Sequence, residues 1–206
     1  MSERPILFSA PMIRAILAGA KAETRRIVRA PRGRVVNPVK IEQFGDDYGW
    51  PDVAADGSWG SNAFVILRAP YGRAGDHLWV RETWARGRTI HYRADGERPR
   101  VTWKPSIYMP RRLSRIMLKV EAVSVQRLQD ITEEDAKAEG VESWETLRAR
   151  EYPCIGTDQT LTTGERMLDT PFRASFALLW DNINGKRATW KSSPWVWVVK
   201  FKRLRP

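Results

Sequence analysis

Ala15-Ile16-Leu17-Ala18-Gly19-Ala20-Lys21-Ala22-Glu23-Thr24-Arg25-Arg26 ends an apolar helical stripe at a glycine and then delivers a lysine, a hydroxyl and two guanidinium groups. Met12, Ile13, Ile16, Leu17 and Ala20 share one side of a helix over residues 11–19, and Gly19 falls where a left-handed residue closes it. A surface helix scatters its charges along one face, whereas here they are massed just beyond the helix end. That order predicts a site at the helix terminus.

Outward from this stretch, alternation and turn residues set the organisation. Residues 30–70 are rich in Gly, Pro and Asp, with strands predicted at Val39–Phe44 and Ala63–Arg68 in a hairpin-like excursion. Gly75-Asp76 is a turn before a core strand over His77–Trp84, where Leu78 and Val80 share a side. Thr89–Arg93 is a short strand ended by the Asp95-Gly96 turn, and Arg115–Val123 is a long one with Ile116, Leu118 and Val120 facing inward. Thr132 reads as an N-cap before the acidic turn Glu133-Glu134-Asp135, Ile131 and Ala136 form a staple, and Gly140 closes that helix. Residues 141–169 read as a variable or mobile loop near the site, beginning with a short helix over Trp144–Arg150. A helix starts at Pro171 and runs to Gly185, with Phe172, Phe176, Leu179 and Ile183 as its core face. The last strand alternates Trp195, Trp197, Val199 and Phe201 with Val196, Val198, Lys200 and Lys202. This order predicts an α+β fold, a small barrel in a single domain over residues 1–206, with insertions at 30–70 and 141–169.

The 206 residues carry 35 Lys and Arg against 24 acidic residues, a formal charge of +11 that points to a polyanionic partner or a phosphorylated substrate. A basic protein without such a partner is the other reading. The lone Cys154 excludes an intramolecular disulfide and a cysteine metal cluster, and His77 and His91 have no spaced partner. No metal site and no cofactor are predicted. No basic leader followed by an apolar run stands at the N-terminus, and no stretch reaches the roughly 18 apolar residues of a membrane helix, so the expected setting is cytoplasmic, without membrane contact.

Ten tryptophans are available for the core or for stacking on bases. Trp79, Trp180 and Trp197 sit in apolar patterns and read as core; Trp84, Trp103 and Trp190 lie beside polar or basic residues and read as stacking candidates. Met109-Pro110-Arg111-Arg112-Leu113-Ser114-Arg115 sets three arginines beside a strand, a phosphate-binding arrangement or a solvated loop.

Ile16-Leu17-Ala18-Gly19-x-Lys21-x-x-Thr24-x-Arg26 resembles the signature at the start of ASCH domains, a branch of the PUA-like β-barrels associated with RNA and modified nucleosides. Gly75-Asp76-x-Leu78-Trp79-Val80-Arg81-Glu82, Ile131-Thr132-Glu133-Glu134-Asp135-Ala136-x-Ala138-Glu139-Gly140 and Leu179-Trp180-Asp181-x-Ile183-Asn184-Gly185 are similar to blocks of the long ASCH-like proteins frequent in phages and prophages. The resemblance implies a PUA-like barrel with flanking helices and inserted loops. It also implies a site, because the bacterial N4-acetylcytidine amidohydrolases use a Lys, a Thr and a Glu whose positions match Lys21, Thr24 and Glu139. Residues 30–70 and 141–169 have no counterpart in those short enzymes.

Taken singly, Lys21 is a solvated lysine, Thr24 a turn or strand residue and Glu139 a helix-surface carboxylate. As a trio they fit acyl chemistry in two ways. Lys21, its pKa lowered by desolvation or by Arg25 and Arg26, takes the Thr24 proton while Glu139 shuttles protons. Alternatively Lys21 stays protonated as a clamp, Glu139 activates water and Thr24 orients the substrate. Both require the ends of the first and mid-chain helices to meet, with the Thr24 hydroxyl within about 3 Å, or one water, of Lys21 or Glu139. The implied substrate-binding set is Arg25, Arg26, Arg81, Trp84, Arg111 and Arg112. The expected ligand is a nucleoside or single-stranded RNA, and the expected activity hydrolysis of N4-acylated cytidine. A non-catalytic RNA-binding or regulatory module and a ribonuclease are the alternatives.

Overall fold

A computed structural model describes residues 1–35, 38–54, 56–96, 100–151 and 170–204. In chain order its regular elements are β1 (Glu3–Leu7), α1 (Ala10–Leu17), β2 (Glu23–Ile27), β3 (Glu42–Phe44), β4 (Asp47–Val53), β5 (Trp59–Arg68), β6 (His77–Arg81), β7 (Trp84–Arg86), β8 (Ile90–Tyr92), β9 (Met117–Arg127), α2 (Glu133–Ala138), α3 (Trp144–Glu151), α4 (Pro171–Asn184) and β10 (Trp195–Leu204). The fold is α+β. Its centre is a five-stranded sheet in the order β1-β6-β9-β10-β2, in which β1 runs parallel to β6 and the other neighbours are antiparallel.

Leu78 and Val80 of β6, Leu118 and Val120 of β9 and Val199 and Phe201 of β10 meet Ile13 and Ile16 of α1 in one core. Val196 and Val198 face the other way, against α2 and α4. The alternation expected in the last strand therefore separates two buried surfaces over Val196–Val199, with lysines exposed only from Lys200 on. β1 was hidden by Pro5, which lacks a backbone donor and sits on the sheet's terminal strand, where proline is tolerated. The strand expected over His77–Trp84 ends at Arg81, and Trp84 begins the separate β7–β8 ribbon.

The ladder does not close. Among the described residues β1 and β2 remain the two ends of the sheet, so the expected ring of strand pairs is absent. A side chain spans the gap instead: Arg26 donates from Nη2 to the Leu7 carbonyl at 2.9 Å.

The 30–70 excursion is a three-stranded antiparallel sheet, β3-β4-β5. Its middle strand, unread in the sequence because Gly49 and Pro51 interrupt it, supplies Tyr48 and Trp50 to a third core with Val28, Ala69 and Trp197. Tyr48 meets the Trp197 ring edge-on at 5.0 Å and donates from its hydroxyl to the Val123 carbonyl. Of the 141–169 loop, α3 is described through Glu151 and residues 152–169 lie outside the described set. In α4 the expected Phe176 is buried and Phe172 packs against the same core, while Ala174, Ala177 and Trp180 take the buried places expected for Leu179 and Ile183. Leu179 and Ile183 turn towards a surface cleft instead. Among the described residues no helix is long and apolar enough to cross a membrane.

Candidate functional site

Two helix ends build the site. Past α1, Gly19 takes φ +76°, and the backbone amides of Ala20 and Lys21 both donate to the Ala15 carbonyl. At the other end Thr132 caps α2 by accepting from the Asp135 amide at 3.1 Å. The chain leaves α2 through Gly140, at φ +79°, where a Cβ would lie 2.8 Å from Lys21 Cβ. The Ala22 amide donates to the Ala138 carbonyl at 2.8 Å and locks the two segments together. Glycine is needed at 140 for both reasons: the left-handed backbone and the close approach.

Lys21 and Glu139, far apart in sequence, therefore meet. Lys21 Nζ lies 2.5 Å from Glu139 Oε2 and donates to the Glu139 carbonyl at 2.7 Å, with side chains 0% and 5% exposed. The carbonyl bond satisfies an orphan group of the helix end, where a cation also meets favourable potential. Burial pulls the Lys21 pKa below that of an ordinary lysine, with Glu139 opposing.

Around this pair runs a balanced network. Buried Arg25 contacts Glu23 at 2.5 Å, Asp135 at 3.3 Å and Glu139 at 3.5 Å, and Lys200 reaches both Glu23 and Asp135 at 3.2 Å. Three cations answer three carboxylates. Burial pushes the Glu23 carboxyl above the usual range, while its hydrogen bond with Lys200 raises the pKa of that lysine.

Thr24 differs from the expectation. It lies opposite Val199 on the face of β2 away from Arg25, it is fully buried, and its Oγ1 has no hydrogen-bond partner among the described residues. Neither Lys21 nor Glu139 receives its hydroxyl. The period of two along β2 is the cause, since it sends Thr24 and Arg25 to opposite faces.

The gap between β1 and β2 opens into a cleft of about 590 Å³, within the range of small-molecule sites. Phe8 and Arg26 line it together with Arg25, Glu139 and the Phe176, Leu179 and Trp180 side of α4; Arg29, Tyr71 and Arg187 line it as well. Lys21 and Thr24 do not contribute to this lining. Lys21 instead borders a separate hollow of about 370 Å³ beside the end of α1, so it holds Glu139 from behind. Arg29, Tyr71 and Arg187 were not singled out in the sequence. Arg29 is three residues past Arg26 and Arg187 two past the glycine ending α4, and only the fold brings them together.

Four expected binding residues lie elsewhere. Arg81 shares the outer face of β6 with Trp79, stands 5.4 Å from that ring and donates to the Ile107 carbonyl. Arg111 stands 5.9 Å from the same ring and pairs with Glu3 at 3.0 Å. Arg112 is exposed outside the cleft lining. Trp84 is buried beneath Lys104, 5.1 Å from its ring, and offers no free face for a base. Arg115 is held by Glu82 at 2.9 Å and Asp95 at 2.7 Å. Among the other tryptophans, Trp180 and Trp197 are core as read, Trp190 is fully buried rather than a stacking surface, and Trp79 is half-buried under its arginines rather than core. Trp103 is half-buried against Arg93. Among the described residues no three His, Cys, Asp or Glu side chains cluster to hold a metal ion. Comparison with protein-family models, curated proteins and solved structures returns no match to this chain.

Proposed function

We propose that this chain is an ASCH-like protein of PUA-like build, a single domain with the 30–70 sheet inserted, that binds a nucleoside or single-stranded RNA between β1 and β2 and hydrolyses N4-acylated cytidine there. In this reading the five-stranded sheet is the barrel wall and its gap is the mouth. The observation that carries it is the buried Lys21–Glu139 pair, with Glu139 lining the cleft and Lys21 behind it. Glu139 takes a proton from water, the hydroxide adds to the acyl carbon, and the cytosine amine leaves with a proton returned by the same carboxyl. Lys21 and Arg25 position the carboxylate. Water rather than Thr24 is the nucleophile, since the Thr24 hydroxyl is buried outside the cleft lining.

That burial also favours a second reading, in which the cleft recognises its ligand without reaction. A panel of N4-acylated cytidines separates the two. Acyl release by the wild-type protein, lost in Glu139→Gln with binding retained, is the expected result. No turnover by clean protein, with an N4-acetylcytidine amidohydrolase active alongside, removes the enzyme and leaves the recognition module. Cleavage of a single-stranded RNA under the same conditions would identify the ribonuclease instead.

A further inference from the structure

Arg26 is a half-buried guanidinium with no carboxylate partner among the described residues. It donates to two backbone carbonyls, Leu7 O at 2.9 Å and Arg25 O at 3.2 Å, and lies 5.3 Å from the Phe8 ring centroid. Two carbonyls and a ring face engage part of its N–H fork without neutralising its charge, and charges taken partly out of water are ordinarily paired. Its neighbour Arg25 meets that rule with three carboxylates. In the same cleft Arg29 and Arg187 are exposed and make no ion pair among the described residues. Glu139, the one acidic residue of the described lining, is already answered by Lys21 and Arg25. Of the four arginines lining the cleft, three thus have no carboxylate among the described residues, the one described anion is neutralised, and a neutral nucleoside would leave them so.

We propose that the ligand of this cleft carries a phosphate, held by Arg26, Arg29 and Arg187, so that the protein takes a nucleotide or a phosphate of an RNA strand rather than a free nucleoside. This inference rests on the nucleoside-cleft reading above and narrows its substrate. Planar guanidinium forks suit phosphate oxygens, and the Tyr71 phenol adds a donor. Burial raises the Tyr71 pKa, which keeps that hydroxyl protonated. Arg187 follows the end of α4, where a cation meets favourable potential, but a helix-end role would not call for Arg29 and Arg26 in the same cleft.

The test titrates the full chain, at low salt, with cytidine, cytidine 5′-monophosphate, cytidine 3′-monophosphate and a short oligocytidylate. A monophosphate is expected to bind at least about tenfold more tightly than cytidine, the equivalent of one good charge-assisted contact. The double variant Arg29→Gln/Arg187→Gln should collapse that difference with its melting temperature unchanged. An oligomer that outbinds both mononucleotides places the phosphate in RNA, and each arginine lost should then lower the salt slope by about one. Equal affinity for cytidine and its monophosphates overturns the phosphate while the nucleoside cleft stands. A phosphate preference surviving in the double variant overturns these arginines as its holders. If no compound binds at low salt, the cleft reading itself falls.

Discussion

The end of β2 and the turn at residues 111–115 are both arginine-rich beside a strand, and arginines of both belong to the substrate-binding set expected from the sequence. In the turn, Arg111 faces Glu3, and Arg115 faces Glu82 and Asp95 while its guanidinium lies 4.0 Å from the Tyr92 ring centroid. At β2 the carboxylates gather on one side of the strand only. Arg25 takes them, and Arg26, one residue on, faces the cleft with carbonyls and a ring. What separates a structural arginine from an available one is thus the position of acidic residues distant in sequence, over a hundred residues away for Arg25 and Asp135. Arginine density along the chain does not report it.

The largest effect should come from the β2 side, at its most deeply buried pair. Lys21→Met leaves Glu139 with only Arg25, 3.5 Å away, and should lower the unfolding free energy by about 3 kcal/mol in urea titrations, as breaking a buried pair does. Glu139→Gln should cost less. Burial already pulls the Lys21 pKa down, so the lysine can shed its proton rather than keep an unanswered charge. Two equal losses below about 0.5 kcal/mol, the size of a surface pair, would show that the network contributes no more than exposed charges do.

The next test crosses the two regions. Arg115→Gln strips buried Glu82 of its bidentate partner and should cost about 2 kcal/mol of stability, discounted for the partial exposure of Arg115, with nucleotide affinity unchanged. Arg26→Gln should do the reverse. It removes a charge with no counter-ion, so stability should change by less than about 0.5 kcal/mol or rise, while affinity for cytidine monophosphate falls by about tenfold. A destabilised Arg26 variant with full affinity would make that arginine a strut between β1 and β2 and erase the contrast.

These differences also mark how far the sequence could be read. Helix ends were legible, because Gly19, Thr132, Gly140 and Pro171 act through local backbone conformation. The long strands β9 and β10 were legible from alternation. β1 and β4 were not, since Pro5 and Pro51 mask strands whose pairing is decided by distant neighbours. For the site, the resemblance rather than any local pattern joined Lys21 to Glu139, and the structure brings them together. It could not place Thr24, because the face on which a strand residue falls depends on which side the helices pack. The same limit misplaced Arg81, which parity puts beside Trp79 and opposite the inward Val80. Arg29, Tyr71 and Arg187 become a group only where β2, α4 and the loop at Tyr71 converge.

The smallest effect sharpens the comparison through pH, because one acid in each region is shifted in the opposite sense. Burial raises Glu23 beside Arg25, whereas the hydrogen bond from Arg111 lowers Glu3. With Glu23 the folded protein holds the proton more tightly than the unfolded chain, so its contribution to stability declines as pH rises above 4.5 towards the folded value. With Glu3 the unfolded chain holds the proton more tightly, so its contribution is present above 4.5 and is lost as pH falls through the folded value below it. The variants should therefore diverge. Relative to wild type, Glu23→Gln should improve between pH 4 and 7, and Glu3→Gln should worsen slightly between pH 3 and 6. Denaturant midpoints across that range measure both slopes. Slopes of the same sign would mean that burial does not govern Glu23, and that the β2 network behaves as the surface turn does.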